Sequence, residues 1–240
     1  MINLEKILQE RLDLSVNNIH VYLIKLNLFD SKTCIQYLSE DERIRSEKLK
    51  IEEKKKQFII SRSVLRLLLS SAVGKPYQDI EFFYGGHGKP SINESINTKL
   101  IEFNISHSGN YALIAITLSN KIGVDIEEIN IDLDHQSLSK RFFSKQEYDE
   151  LQRIDESQQC DAFYSIWSKK ESFIKATGKG VAFGLDQFSV SLDEGHEAGV
   201  DVKTPVQLED AWFTYELQKI DGYKLALTTS TKDTEIIFHK

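Results

Sequence analysis

The sequence predicts an α+β fold built from two similar halves, residues 1–120 and 121–240, with a ligand cleft between them. Three observations predict it. A helical stretch ended by Gly-Lys and followed by strands occurs twice, with Gly74-Lys75 after the first and Gly178-Lys179 after the second. Each half then reaches a strand opened by a glycine and a tyrosine, Gly109-Asn110-Tyr111-Ala112-Leu113 and Gly222-Tyr223-Lys224-Leu225-Ala226. Phe58, Gly74 and Tyr111 recur in the same order as Phe163, Gly178 and Tyr223, which is the signature of an internal repeat. Two such halves create a cleft where they meet, a common place for a ligand.

The elements follow from local pattern. Ile19–Leu26 reads as an opening strand, rich in β-branched residues. Ser39–Lys56 reads as a helix, with Ser39 and Glu42 spaced as a capping box. Gln57–Val73 is a second helix or a continuation of the first; Phe58, Val64, Leu65, Leu68 and Leu69 form its apolar stripe. Strands are expected at Ile80–Tyr84, Ile101–Ser106, Tyr111–Leu118 and Ile122–Glu127, with a turn over Gly85-Gly86-His87-Gly88-Lys89-Pro90. A helix starts near Leu138, and Ser144 with Glu147 caps the next one through Leu151. Asp161–Thr177 is the clearest helix of the second half, and strands follow at Phe188–Leu192, Ala211–Gln218 and Tyr223–Thr229.

Composition limits the function classes. Of 240 residues, 28% are charged and 40% hydrophobic, an ordinary soluble balance, and the net charge of −7 argues against a nucleic-acid-binding surface. The two cysteines are too few for a disulfide framework and suit a reducing, cytoplasmic setting. Met1–Asp13 lacks the apolar core of a signal peptide, and Val64–Val73 is too short to span a membrane. One local exception to the acidity is the run Arg43, Arg45, Lys48, Lys50, Lys54, Lys55 and Lys56, which either meets an anion or is a solvated face balanced by Glu42, Glu47, Glu52 and Glu53.

The chemistry sits in a few short motifs. In Ile122-Gly123-Val124-Asp125-Ile126-Glu127, alternation puts Ile122, Val124 and Ile126 on one face and Gly123, Asp125 and Glu127 on the other. Two neighbouring carboxylates repel, and a hard divalent cation would offset the repulsion; an exposed polar edge is the plain alternative. In Trp167-Ser168-Lys169-Lys170-Glu171-Ser172-Phe173-Ile174-Lys175, Trp167, Glu171 and Lys175 lie four apart along one helical stripe. This is either a surface salt bridge beside a core tryptophan or a third carboxylate ligand with an ammonium for phosphate. Phe103-Asn104-Ile105-Ser106-His107-Ser108-Gly109 puts hydroxyls and an imidazole at a strand end. There is no Walker loop, dinucleotide fingerprint or Gly-x-Ser-x-Gly elbow.

Taken in order, Gly88-Lys89-Pro90, Phe103–Ser108, Ile122–Glu127, Arg141-Phe142-Phe143-Ser144 with Glu147, and Trp167–Ser172 continuing to Lys175 resemble the phosphopantetheinyl transferases of the longer, Sfp-like (surfactin-synthetase-activating) type. The resemblance runs from about Ser39 to about Leu227. It implies two α+β halves in one chain working as a monomer, with coenzyme A in the cleft as co-substrate. It implies Mg²⁺ held by Asp125, Glu127 and Glu171 with the pyrophosphate, Lys175 near the phosphates, and Lys170 adjoining the same site. Lys89, Ser106 and His107 match positions that hold the adenosine and its phosphates. Arg43, Arg45 and Arg62 are the candidates for the 3′-phosphate; Gln57 and Glu42 stand where the family places an arginine and a lysine.

The implied reaction moves the 4′-phosphopantetheine arm of coenzyme A to a serine of an apo acyl or peptidyl carrier protein, leaving 3′,5′-ADP. Glu171, Lys175, Asp125 and Glu127 are its expected catalytic residues. The carrier is expected to dock near residues 130–143, where Leu133, Leu138, Phe142 and Phe143 offer apolar contact. No nucleic acid and no membrane is expected as a partner. A metal-dependent phosphohydrolase and a non-catalytic coenzyme A- or carrier-binding module are the competing readings. The first predicts phosphate release without a carrier, the second ligand binding that does not depend on magnesium.

Overall fold

The structure is a computed structural model and describes Leu4, Ile7 and residues 12–86, 88–180, 183–192, 198–202, 211–232 and 234–240. Most of Met1–Asp13, and His87 of the glycine-rich turn, lie outside the described residues. The chain forms two compact units, Met1–Ser119 with Thr234–Lys240, and Asn120–Asp233. No helix among the described residues is long and apolar enough to cross a membrane.

The first unit contains strand β1 (Asn18–Lys25), a helical turn α1 (Ser31–Cys34), and helices α2 (Glu40–Glu47) and α3 (Glu52–Val73). It continues with strands β2 (Phe82–Tyr84), β3 (Pro90–Ile92), β4 (Ile101–Ser108) and β5 (Tyr111–Leu118). The second unit holds strand β6 (Ile122–Glu128), helices α4 (His135–Phe142), α5 (Lys145–Leu151) and α6 (Glu156–Thr177), then strands β7 (Phe188–Ser189), β8 (Ala198–Gly199), β9 (Asp201–Val202), β10 (Phe213–Glu216) and β11 (Tyr223–Thr229). Strand β12 (Glu235–His239) closes the chain.

The expected capping residues act as expected. Glu42 accepts the backbone N–H of Ser39 at 3.0 Å, and Glu147 that of Ser144 at 2.7 Å. Both long helices, α3 and α6, end on a glycine with positive φ, Gly74 at 77° and Gly178 at 66°, where a side chain would be strained. The single helix expected from Ser39 to Lys56 is broken: Lys48 caps α2, and Ile51 is extended at φ −91°, ψ 115° before α3 restarts on Glu52 and Glu53. Acids in that first turn complement the helix dipole, so the restart is favourable. Helix α6 starts earlier than the sequence suggests, at Glu156 behind Asp155.

The repeat extends to the sheets. The first unit has the strand order β12-β1-β5-β4 and the second β6-β11-β10-β8. In each, the strand preceding the helices (β1, β6) pairs antiparallel with the last strand after them (β5, β11). A buried acid from the capping box meets a cation on the long helix in both: Glu42 with Arg66 at 2.6 Å, and Glu147 with Lys170 at 2.7 Å. The strand Glu235–His239 was not expected; it pairs parallel with β1, so the end of the chain belongs to the first unit's sheet. Val64, Leu65, Leu68 and Leu69 pack into the core with Ile24, Phe103 and Ile114. The second unit's core joins Phe163, Phe173, Phe188 and Trp212.

Candidate functional site

The acids come together because of one glycine. β6 lies at the edge of its sheet, and the Gly123–Asp125–Glu127 face is turned toward α6. A Cβ on Gly123 would sit 2.0 Å from the carbonyl oxygen of Ser172 and 2.3 Å from the backbone nitrogen of Ala176. Only glycine lets the helix backbone approach the strand so closely. Beside it, small hydroxyls form the seam: the Ser172 and Thr228 oxygens are 2.7 Å apart, and Thr228 and Thr214 are 3.0 Å apart. The polar-edge alternative is therefore excluded for Asp125, which is 2% exposed.

This approach brings Glu171 and Lys175 of α6 to Asp125 and Glu127. Lys175 Nζ donates to Asp125 Oδ1 at 2.6 Å. Burial pushes the Glu127 carboxyl up to about 7, reinforced by the charges of Asp125 and Glu171 and opposed by Lys175 and a hydrogen bond from Trp167. Glu171 is raised too, by burial first and then by Asp125, with Lys175 opposing. Three carboxylates thus share one ammonium in a partly desolvated place, where a surplus of negative charge is costly. Hard oxygen donors with excess negative charge have the chemistry a divalent cation such as Mg²⁺ requires. Among the described residues, no three acid, histidine or cysteine side chains are already arranged around one metal position. The donor set fits the ion, and the ammonium of Lys175 is bound where the buried acid would ligate it.

Lys170 does not join them, which corrects the expectation that it adjoins the phosphate site. It is fully buried, and its Nζ donates to both oxygens of Glu147 and to the carbonyl of Phe188, each at 2.7 Å. The next helical position lies about 100° around the axis, so Glu171 faces the strand while Lys170 points into the core. Glu147 also accepts the N–H of Val190 at 2.9 Å. The Arg141–Ser144 motif is likewise largely structural. Phe143 stacks on Phe163 with centroids 5.2 Å apart, and Phe142 meets the Trp167 ring edge-on at 5.9 Å. Leu133 and Leu138 are partly buried against the same core. Ile131, 80% exposed, is an apolar side chain of this segment that sequence reasoning passed over; a lone isoleucine in a polar loop carries no periodic signal.

In the first unit, Arg45 and Arg62 form a cationic platform with aromatic rings. Arg62 donates to the Tyr84 hydroxyl at 3.2 Å and lies over Phe82 at 4.7 Å; Arg45 lies over Phe58 at 5.4 Å and Tyr84 at 5.5 Å. Phe58, expected in the core stripe, serves this platform instead. Arg62 is buried, its Nε is 3.4 Å from Glu42, and its Nη1 is buried without a hydrogen-bond partner. Burial lowers its pKa. Arg43 turns toward the carbonyl of Gln36 at 3.4 Å and does not contribute to the rings. Glu42 is explained as the buried counter-charge of Arg62 and Arg66. Gln57 is explained by its 2.6 Å bond to the Gly109 carbonyl, which ties α3 to the β4–β5 turn. At that turn Ser106 is buried and His107 exposed, and Lys89 sits half-buried beside the Gly85–Gly88 turn.

The family comparisons decide what this geometry belongs to. The model for the 4′-phosphopantetheinyl transferase superfamily matches residues 121–228, and that for the N-terminal part of a 4′-phosphopantetheinyl transferase matches residues 29–119. The chain is 30% identical over 221 residues to the 4′-phosphopantetheinyl transferase HetI of Nostoc, covering 91% of this chain and 90% of that one. The chain belongs to the 4′-phosphopantetheinyl transferase superfamily. Within these transferases, Sfp of Bacillus subtilis is 39% identical over 175 residues, 70% of this chain and 72% of Sfp. A putative 4′-phosphopantetheinyl transferase of Synechocystis is 37% identical over 150 residues, and the match spans 61% of that relative's length. Among solved structures, a holo-(acyl-carrier-protein) synthase of Bacillus anthracis matches 42% of this chain and 95% of its own at 26% identity, with a TM-score of 0.34.

Proposed function

We propose that this chain transfers the 4′-phosphopantetheine arm of coenzyme A to a serine of an apo carrier protein. The observation that carries the reading is the convergence of Asp125, Glu127 and Glu171 on Lys175, inside the two sequence motifs that the transferases share. Asp125, Glu127 and Glu171 would hold Mg²⁺, which when bound neutralises charge on the coenzyme A pyrophosphate. Glu171 accepts the proton of the carrier serine, a role that its raised pKa suits. The serine oxygen bonds to the β-phosphorus, the bond to the bridging oxygen breaks, and 3′,5′-ADP leaves. Lys175 neutralises charge on that leaving phosphate.

In the first unit, Arg62 and Arg45 suit an anionic group, since the buried Nη1 of Arg62 lacks an acceptor. Lys89, Ser106 and His107 complete the adenosine and phosphate contacts. The carrier docks near residues 130–143, where Ile131 adds exposed apolar surface. With both units in one chain, the protein works as a monomer in the cytoplasm on fatty-acid, polyketide or nonribosomal-peptide carriers.

The test is mass spectrometry of a panel of apo-carriers incubated with coenzyme A, with magnesium and with chelator. A gain of one arm that needs magnesium, and that drops about 10²-fold or more in Asp125→Ala, is expected by analogy with removal of a single electrostatic stabiliser. Near-normal turnover in folded Asp125→Ala and Glu171→Gln would remove the metal-site assignment.

A further inference from the structure

The buried carboxylate of Asp125 already has a cation. Its side chain is 3% exposed, and the Lys175 ammonium sits 2.6 Å from Oδ1. The same ammonium is the opposing positive charge for both Glu127 and Glu171. Lys175 is itself 29% exposed, so its flexible stem can swing toward solvent without unpacking the helix. A divalent ion entering this cluster would meet a positive charge on one of its ligands. Two cations crowded on one buried carboxylate repel strongly where water is scarce.

We propose that Lys175 is a resident counter-ion of the acid cluster, which must leave Asp125 before a divalent cation enters and which leaves when a phosphate offers it a new partner. The inference rests on the magnesium and coenzyme A reading above. Without the lysine, three carboxylates would repel one another in the ligand-free protein; with it, part of that repulsion is offset. The arrangement makes metal and cofactor cooperative. The diphosphate draws Lys175 away and so raises affinity for the ion, and linkage requires the ion to raise affinity for the diphosphate by the same factor.

The test measures Mn²⁺ binding, by the loss of free-ion paramagnetic resonance signal, in the full chain with and without coenzyme A. Wild type is expected to bind Mn²⁺ weakly alone and more tightly with coenzyme A. Lys175→Met is expected to bind Mn²⁺ alone about 10- to 100-fold more tightly than wild type, the range for losing one charge-assisted hydrogen bond, and to show a smaller gain on adding coenzyme A. Lys175→Gln, which keeps a polar end, repeats the measurement should the methionine variant fold poorly. Lys224→Met serves as the charge control. Lys224 faces Glu127 across the strand pair but is bonded to Asp161 at 2.7 Å and Glu216 at 3.3 Å. It should change Mn²⁺ affinity less than about twofold, as a charge held by other partners. Unchanged or weaker Mn²⁺ affinity in both Lys175 variants, with coupling intact in wild type, overturns the counter-ion role and leaves the metal reading standing. Equal tightening in Lys224→Met overturns it as well. No Mn²⁺ binding by wild type even with coenzyme A overturns the metal reading and the inference together.

Discussion

Replacing Gly123 by alanine should disable the site without touching any charged group. The added methyl carbon would lie 2.0 Å from Ser172 O and 2.3 Å from Ala176 N. Both are helix backbone atoms, so no side chain can rotate away. Ordinary contact at about 3.4 Å or more requires α6 to retreat by roughly 1 Å, or the edge strand to bend outward. Overpacking of this kind costs about 1–3 kcal/mol. The larger effect is on geometry. The Lys175–Asp125 pair at 2.6 Å and the hydroxyl contact of Ser172 with Thr228 at 2.7 Å both span the gap that opens. A misplacement of about 1 Å at reacting groups is enough for about 10²-fold in rate. The assay pairs urea unfolding with mass-spectrometric holo-carrier formation. Gly123→Ala with stability within about 0.5 kcal/mol of wild type and near-normal turnover would refute the claim that close helix–strand approach builds the site.

Other consequences are equally direct. Lys170→Met should cost about 3–5 kcal/mol, because Glu147 is left charged and buried, and the double variant with Glu147→Gln should recover part of that loss; denaturant midpoints check it. His20 bonds His239 through ring nitrogens 3.0 Å apart, and burial lowers its pKa against the opposing pull of Asp13 and Glu235. The unfolded state therefore takes up the proton more readily, so stability should fall as pH drops through the range below about 6.5, and His20→Phe should flatten that slope in pH-resolved unfolding. Ile131→Asp should weaken carrier docking by about tenfold, seen as a raised KM for the carrier with kcat preserved, since its side chain is 80% exposed and outside the core.

Much of this was legible in the residues themselves, where the physics is local. A strand's period of two placed Gly123, Asp125 and Glu127 on one face. A helix's period of 3.6 aligned Trp167, Glu171 and Lys175. Ser39 with Glu42, Ser144 with Glu147, and Gly74 and Gly178 marked helix ends, because a cap is satisfied within a few residues of chain. The repeated order of helix and strands carried the α+β class.

Tertiary structure decided everything that depends on partners far along the chain. It chose where two adjacent charges go: Lys170 meets Glu147 in the core while its neighbour Glu171 turns to the strand. It made Glu42 a counter-charge, placed Lys175 on Asp125 across a sequence separation of 50, and carried Glu235–His239 back to β1. Periodicity says which side chains share a face; it does not say what that face will meet. Burial and charge pairing are settled only when distant segments compete for the same desolvated space, and at Gly123 that competition is won by backbone contact alone.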